Sequence, residues 1–137
     1  MTIGKISLPL KDEAGYYNEG TTIPQATNTD GDTNLQTGQT NGQLEIVMSA
    51  KTAIALADTK VITLTVTSSA TVAGTFTEVG AATYTASGAA AFAIGDIVTS
   101  IVIPTNDKVL DFTKVNVATD DVAATGTYDV FVRRLVK

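Results

Sequence analysis

A chain of 137 residues with no cysteine and no histidine has room for one ordinary domain. It lacks the side chains behind disulfides, thiol nucleophiles, thiolate metal sites and most general acid–base catalysis near neutral pH. The formal net charge of −5, with nine Lys and Arg scattered along the sequence, argues against a phosphate-backbone binder, which needs clustered cations.

The N-terminus, Met1-Thr-Ile-Gly-Lys-Ile-Ser-Leu-Pro-Leu10, lacks a basic region followed by a continuous apolar core. It reads as no secretory signal, and synthesis in a cytoplasm is expected. No run of about eighteen apolar residues occurs, so no membrane span and no membrane partner are expected. Ile6, Leu8 and Leu10 alternate by twos. Pro9 cannot donate to a β-ladder, so a strand here would lie at an edge or outside the domain's own sheet. Tyr16 and Tyr17 follow. Tyrosine offers large contact area at low entropic cost, which suits an interface anchor; the competing reading is that one of them covers the domain's own core edge.

From Thr21 to Gln43 the chain is built mostly of Thr, Asn, Gln, Asp and Gly, with Ile23 and Leu35 as the lone larger aliphatics. Such a tract cannot bury enough apolar surface to offset its own ordering entropy. Residues 1–42 are therefore read as an extended N-terminal arm, free or ordered on a partner, and residues 43–137 as a β-sandwich domain. Within the arm, Asn28-Thr-Asp30-Gly-Asp32-Thr-Asn34 alternates oxygen-bearing side chains, as calcium loops do. Counting from Asp30, however, the sixth and twelfth positions hold Leu35 and Asn41 where an EF-hand needs Gly and Glu. A solvated polar loop is the better reading, and no metal or cofactor is expected.

Asn41-Gly42 is a turn signal that opens the compact part. Leu44, Ile46 and Met48 alternate with Gln43, Glu45 and Val47 as a first core strand. Ala50–Asp58 alternates around Ile54 and Leu56 and is read as extended. Lys60-Val-Ile-Thr-Leu-Thr-Val-Thr67 is the clearest strand: Ile62, Leu64 and Val66 face one way, Thr63, Thr65 and Thr67 the other. Short strands are expected over Gly74–Gly80 and Thr83–Thr85, then a small-residue loop or edge over Ser87–Ala91, then a strand over Ile97–Ile103 that Pro104 stops.

Leu110 and Phe112 share one parity and Val115 and Val117 the other. A strand keeping one buried face would need an extra residue between them, so a β-bulge is predicted near Thr113-Lys114. In the closing strand, Thr127–Val136, Tyr128, Val130, Val132 and Val136 share one face while Phe131 and Leu135 lie on the other. Apolar residues on both faces mark a central strand, covered once by the core and once by a partner. Adjacent Arg133 and Arg134 are candidate ion-pair donors across an interface, or ordinary surface ion pairs.

Strand-sized runs with turn residues between them, and no helical period, give an all-β fold: an antiparallel β-sandwich of jelly-roll type. The carboxylates Asp96, Asp107, Asp111, Asp120, Asp121 and Asp129 lie mostly at turns or strand ends, where Asx side chains bond locally. Nothing in the sequence sets two of them across a cleft. No phosphate loop, dinucleotide fingerprint or nucleophile elbow appears. No enzymatic activity is expected.

The order of features from Gln43 onward resembles the jelly-roll capsid cement, or decoration, proteins of tailed bacteriophages. The residues that carry it are Leu44-Glu-Ile-Val-Met48, Ile62-Thr-Leu-Thr-Val-Thr-Ser-Ser69, the short Thr75-Phe-Thr-Glu-Val79, the small-residue stretch after it, Ile101-Val-Ile-Pro104, the Leu110-Asp-Phe segment and Gly126-Thr-Tyr-Asp-Val130. Leu110-Asp111 stands where that group often has an aromatic–Arg pair, so individual contacts do not carry over. The resemblance implies a homotrimer on the outer surface of a virion capsid, tying neighbouring major capsid subunits together. Charged residues make up 17% of the chain against a usual share of about a quarter, and a Thr- and Ala-rich surface suits such packing. Under this reading Ile6, Leu8, Leu10, Tyr16, Tyr17, Arg133 and Arg134 are the candidate protein-interaction residues. The rival is a carbohydrate-binding or adhesin-like β-sandwich module. Such modules stack sugar rings on aromatics, and this chain has no Trp, four Tyr and four Phe.

Overall fold

The computed structural model describes residues 15–36, 43–104 and 112–135. Among these the regular elements are strands: β1 (Tyr16–Thr22), β2 (Asn28–Asp30), β3 (Leu35–Gln36), β4 (Gln43–Ala50), β5 (Ile54–Leu56), β6 (Val61–Ser69), β7 (Thr77–Thr85), β8 (Ala90–Phe92), β9 (Ile97–Pro104), β10 (Phe112–Thr119) and β11 (Thr127–Leu135). A four-stranded antiparallel sheet runs β1-β11-β4-β9, and a second runs β2-β10-β6-β7 with β3 also on β10. The two sheets pack as a β-sandwich, and β5 and β8 form a separate two-stranded antiparallel sheet. Successive strands repeatedly change sheet: β1 lies in the first, β2 and β3 in the second, β4 in the first, β6 and β7 in the second, β9 in the first, β10 in the second and β11 in the first.

The alternation of β6 decides its place. Ile62, Leu64 and Val66 are fully buried in the inter-sheet core, and the threonines between them stay half-buried on the outer side. β6 is central between β10 and β7, where β-branched threonines suit a pleated surface. Thr63 Oγ1 lies 3.5 Å from Thr83 Oγ1 of β7. From the other sheet Leu44, Ile46, Met48, Tyr128, Val130 and Val132 close the core. Ile54 and Leu56 of β5 are buried at its end, so the alternation there is extended, as expected.

Four features differ from the sequence reading. The boundary expected after Gly42 does not separate residues 16–36 from the sheets. β1 pairs with β11, β2 and β3 pair with β10, and Tyr17 and Ile23 are core residues at 0% and 2% exposure. This polar segment orders because it completes sheet edges that the rest of the chain already presents, so it needs few apolar side chains of its own. Residues 1–14 and 37–42 of the expected arm lie outside the described residues.

The predicted bulge at Thr113-Lys114 is absent. β10 pairs with β6 without interruption from Phe112↔Ser69 to Thr119↔Ile62. Phe112 faces outward and Thr113 takes the buried position, joining Val115, Val117 and Thr119 on one face. A threonine serves there because its hydroxyl lies 2.6 Å from Tyr17 Oη and donates to the Leu35 carbonyl at 3.3 Å; a bonded hydroxyl removes the penalty of burying it.

The register changes lie elsewhere: in β1 around Tyr17 and again between Asn18 and Thr21, between Val66 and Thr67 opposite β7, and between Met48 and Ser49 opposite β9. The shift in β9 turns Val98 inward and leaves Ile97 half exposed. Finally, the two short strands expected over 74–85 are one strand, β7, with its irregularity beside Gly80. A Cβ on Gly80 would stand 2.6 Å from Ile101 Cδ1, so the glycine lets the neighbouring edges of the two sheets, β7 and β9, approach.

Candidate functional site

Many of the described carboxylates are engaged by the fold. Asp121 accepts hydrogen bonds from the backbone N–H of Ala57 and of Ala123, both at 2.8 Å, and so ties the β5–β6 turn to the β10–β11 loop. Those two bonds, against the cost of burial and with help from the Lys60 charge, hold its carboxyl below the usual aspartate range. Asp120 accepts from Val61 N–H, Asp58 from Gly88 N–H, Asp96 from Ala93 N–H and Asp129 from Gly20 N–H. In the calcium-like stretch, Asn28 Oδ1 and Asp30 Oδ1 both accept from Asn116 Nδ2, at 3.1 and 2.8 Å. Those oxygens serve the β2–β10 pairing. Among the described residues no three acidic side chains converge as a metal site would require. Asp107 and Asp111 lie outside the described residues.

Tyr128 is buried in the core, and burial, with the charge of Asp32, pushes its hydroxyl pKa far up. It stays a neutral phenol at any physiological pH. Its Oη and Asn18 Oδ1 have no hydrogen-bond partner among the described residues.

The outer face of the four-stranded sheet is the distinctive one. In strand order, its middle row is Tyr16, Phe131, Val47 and Ser100, set by the pairings Tyr16↔Phe131, Phe131↔Val47 and Val47↔Ser100. The rings of Tyr16 and Phe131 are 5.6 Å apart and tilted by 46°, within the range for favourable aromatic pairs. One row further along, Arg133, Glu45 and Val102 stand side by side. Arg133 Nε donates to Glu45 Oε1 at 2.6 Å, with the glutamate largely sheltered. The face ends on β9, the edge strand. There the large hydrophobics are open: Ile94 in the turn before it at 73% exposure, Ile97 at 51% and Val102 at 46%.

The sequence candidates divide accordingly. Tyr16 lies on this outer face while Tyr17 faces the core, so of the two adjacent tyrosines one is a surface ring and one a core residue. Arg133 finds its partner within the domain, in Glu45. Arg134 lies opposite Leu44 in the ladder, and its side chain is outside the described set. Ile6, Leu8 and Leu10 lie outside the described residues. Phe131 stands on the face away from the inter-sheet core, as its parity required. Sequence reasoning missed Val47, Val102 and Ile97; the signal for Val47 was an aliphatic residue at the polar parity of β4. No family model matches this chain, and no curated protein or solved structure matches it.

Proposed function

We propose that this chain is a structural virion protein that binds the outer surface of a bacteriophage capsid and ties neighbouring major capsid subunits together, acting as a homotrimer. The observation that carries the reading is the β9 edge. Among the described residues, three of the five exposed large hydrophobics, Ile94, Ile97 and Val102, lie on or just before this strand, whose outer side no other described strand pairs. A strand edge that no other described strand pairs, flanked by exposed aliphatic side chains, forms a surface suited to another polypeptide.

Two further points support it. The repeated crossing of the chain between sheets, with the last long strand set beside the first, supports a jelly-roll reading of the sandwich. Asp58, Asp96, Asp120, Asp121 and Asp129 also accept from backbone N–H groups, as structural acceptors do. A cyclic trimer repeats one heterologous interface and would engage three shell sites at once, so modest contacts sum through effective concentration. The sugar-binding alternative draws no comparable support, because the exposed large hydrophobics among the described residues are aliphatic.

The test is to add purified protein to expanded capsids that lack it, and to measure bound protein and the heat resistance of the shells. The wild-type chain is expected to bind and to raise heat resistance. The paired substitution Ile97→Lys and Val102→Lys sits on exposed positions and should leave the fold intact while abolishing binding. Shells that gain neither protein nor resistance would sink the proposal.

A further inference from the structure

Asn18 Oδ1 and Tyr128 Oη are buried side-chain atoms with no hydrogen-bond partner among the described residues. Left bare, each would carry its full desolvation penalty, and protein interiors usually meet such groups with an ordered water. The two belong to one corner of the sandwich. Asn18 of β1 pairs with Val130 of β11, and Tyr128 stands two residues from Val130 on the same, core-facing side. They are diagonal neighbours across the β1–β11 pair, a separation that an aromatic side chain spans. Register shifts on both sides of Asn18 re-aim β1 here, so that Tyr17 and Asn18 are both buried. Beyond Asn18, Glu19 and Gly20 together oppose Asp129 alone, and Gly20 takes φ +65°.

We propose that one internal water molecule binds in this corner, donating to Asn18 Oδ1 and accepting from the Tyr128 hydroxyl. The roles are complementary. An amide oxygen only accepts, a phenol O–H donates, and a water does both. The Asn18 amide is held in one orientation, because its Nδ2 donates to the Asp30 carbonyl at 3.4 Å and to Thr21 Oγ1 at 3.2 Å; a flipped amide would set oxygen against the carbonyl oxygen. Thr21 lies directly opposite Tyr128 in the ladder, so its hydroxyl is a third polar group at the same place. An internal water needs two to about four such partners.

The connection between β2 and β3 borders the same corner. Asp32 N–H donates to the Tyr17 carbonyl at 2.8 Å, next to Asn18 in the chain. The Tyr128 pKa is raised first by burial and then by the Asp32 charge, so the phenol keeps the proton it donates. A metal cation suits the place less well. It would need the Tyr128 oxygen as a ligand with its proton turned away, and no three acidic side chains converge among the described residues. The water replaces, at the bulge, the ladder contacts that the extra residue interrupts, and so ties the polar strand β1 to β11. This inference concerns the interior of a single chain and does not depend on the capsid reading.

The test is a crystal structure of the full-length wild-type protein at a resolution that shows ordered water, together with the thermal stability of Tyr128→Phe. One density peak is expected at about 2.7–3.2 Å from both Asn18 Oδ1 and Tyr128 Oη. Tyr128→Phe should lower the melting temperature by roughly 4 °C, because it strips the water of a partner. A hydroxyl with no partner would be removed at no cost or with a gain in stability. The proposal is overturned if no peak lies between the two oxygens, or if the two side chains bond each other directly. A peak with ligand distances of about 2.3–2.6 Å would mark a cation in place of water and would overturn it too, as would a Tyr128→Phe protein at least as stable as wild type. The wild-type density decides the matter even if the variant fails to fold.

Discussion

Phe131→Ala tests whether the outer face of the four-stranded sheet is a second buried layer. At 2% exposure the ring removes on the order of 200 Å² from water, worth about 5 kcal/mol at about 25 cal/mol per Å². Residual burial in the unfolded chain discounts that by up to about 40%, to about 3 kcal/mol, which also matches the lower end for buried Phe→Ala changes. The lost contact with the Tyr16 ring, 5.6 Å away, lies within the same figure. For a domain of this size, a loss of about 3 kcal/mol lowers the melting temperature by roughly 10 °C. Urea unfolding followed by circular dichroism measures it directly, and the slope m should be unchanged if only stability moves. A loss under about 1 kcal/mol, the scale of an ordinary surface substitution, would show that Phe131 is open to water and would refute the argument from its burial.

Three other outcomes follow from the geometry. Gly126→Ala should cost about 3 kcal/mol or more. The position has φ +113°, and a Cβ would sit 2.8 Å from both Cα and Cγ1 of Ile54 and against the Ala53 carbonyl; a melting temperature within a few degrees of wild type would contradict this. Asp121 is held below the usual aspartate range, so its ionised form favours folding. That stabilisation is complete above the unfolded value of about 3.9 and is lost as pH falls through the lower folded value. Urea midpoints measured from pH 6 down to 3 should therefore fall more steeply for the wild type than for Asp121→Asn, and equal slopes would refute the assignment. A double-mutant cycle on Glu45 and Arg133, bonded at 2.6 Å, should give a coupling of about 0.5–1 kcal/mol at low salt, shrinking at high ionic strength; a salt-independent coupling would show that the pair is not electrostatic in origin.

Much of the sandwich was legible from local pattern. The Ile62-Leu64-Val66 and Leu44-Ile46-Met48 alternations name their own buried faces, and both strands sit where that requires. The double-sided apolar pattern of β11 likewise marked a central strand with a covered outer face. The errors came where a partner from elsewhere in the chain changes the rules. Thr113 looked like the wrong residue for a core position until Tyr17 and Leu35 supplied its hydrogen bonds. Residues 16–36 looked too polar to order, because composition does not count the ladder bonds that waiting sheet edges offer. The outer apolar row was invisible for a related reason. Tyr16, Phe131 and Val47 are far apart in sequence and become neighbours only through the β1-β11-β4 pairing.

Local pattern sets which residues alternate and where turns interrupt them, and composition leaves no histidine or cysteine chemistry available. These are consequences of side-chain type and the two-residue period of a strand, which operate within a few residues. Tertiary structure decided the register shifts around Tyr17, Val98 and Gly80, the partners of each carboxylate, and which exposed aliphatics share an edge. Those depend on contacts between distant segments, where one bonded hydroxyl or one missing Cβ outweighs local preference.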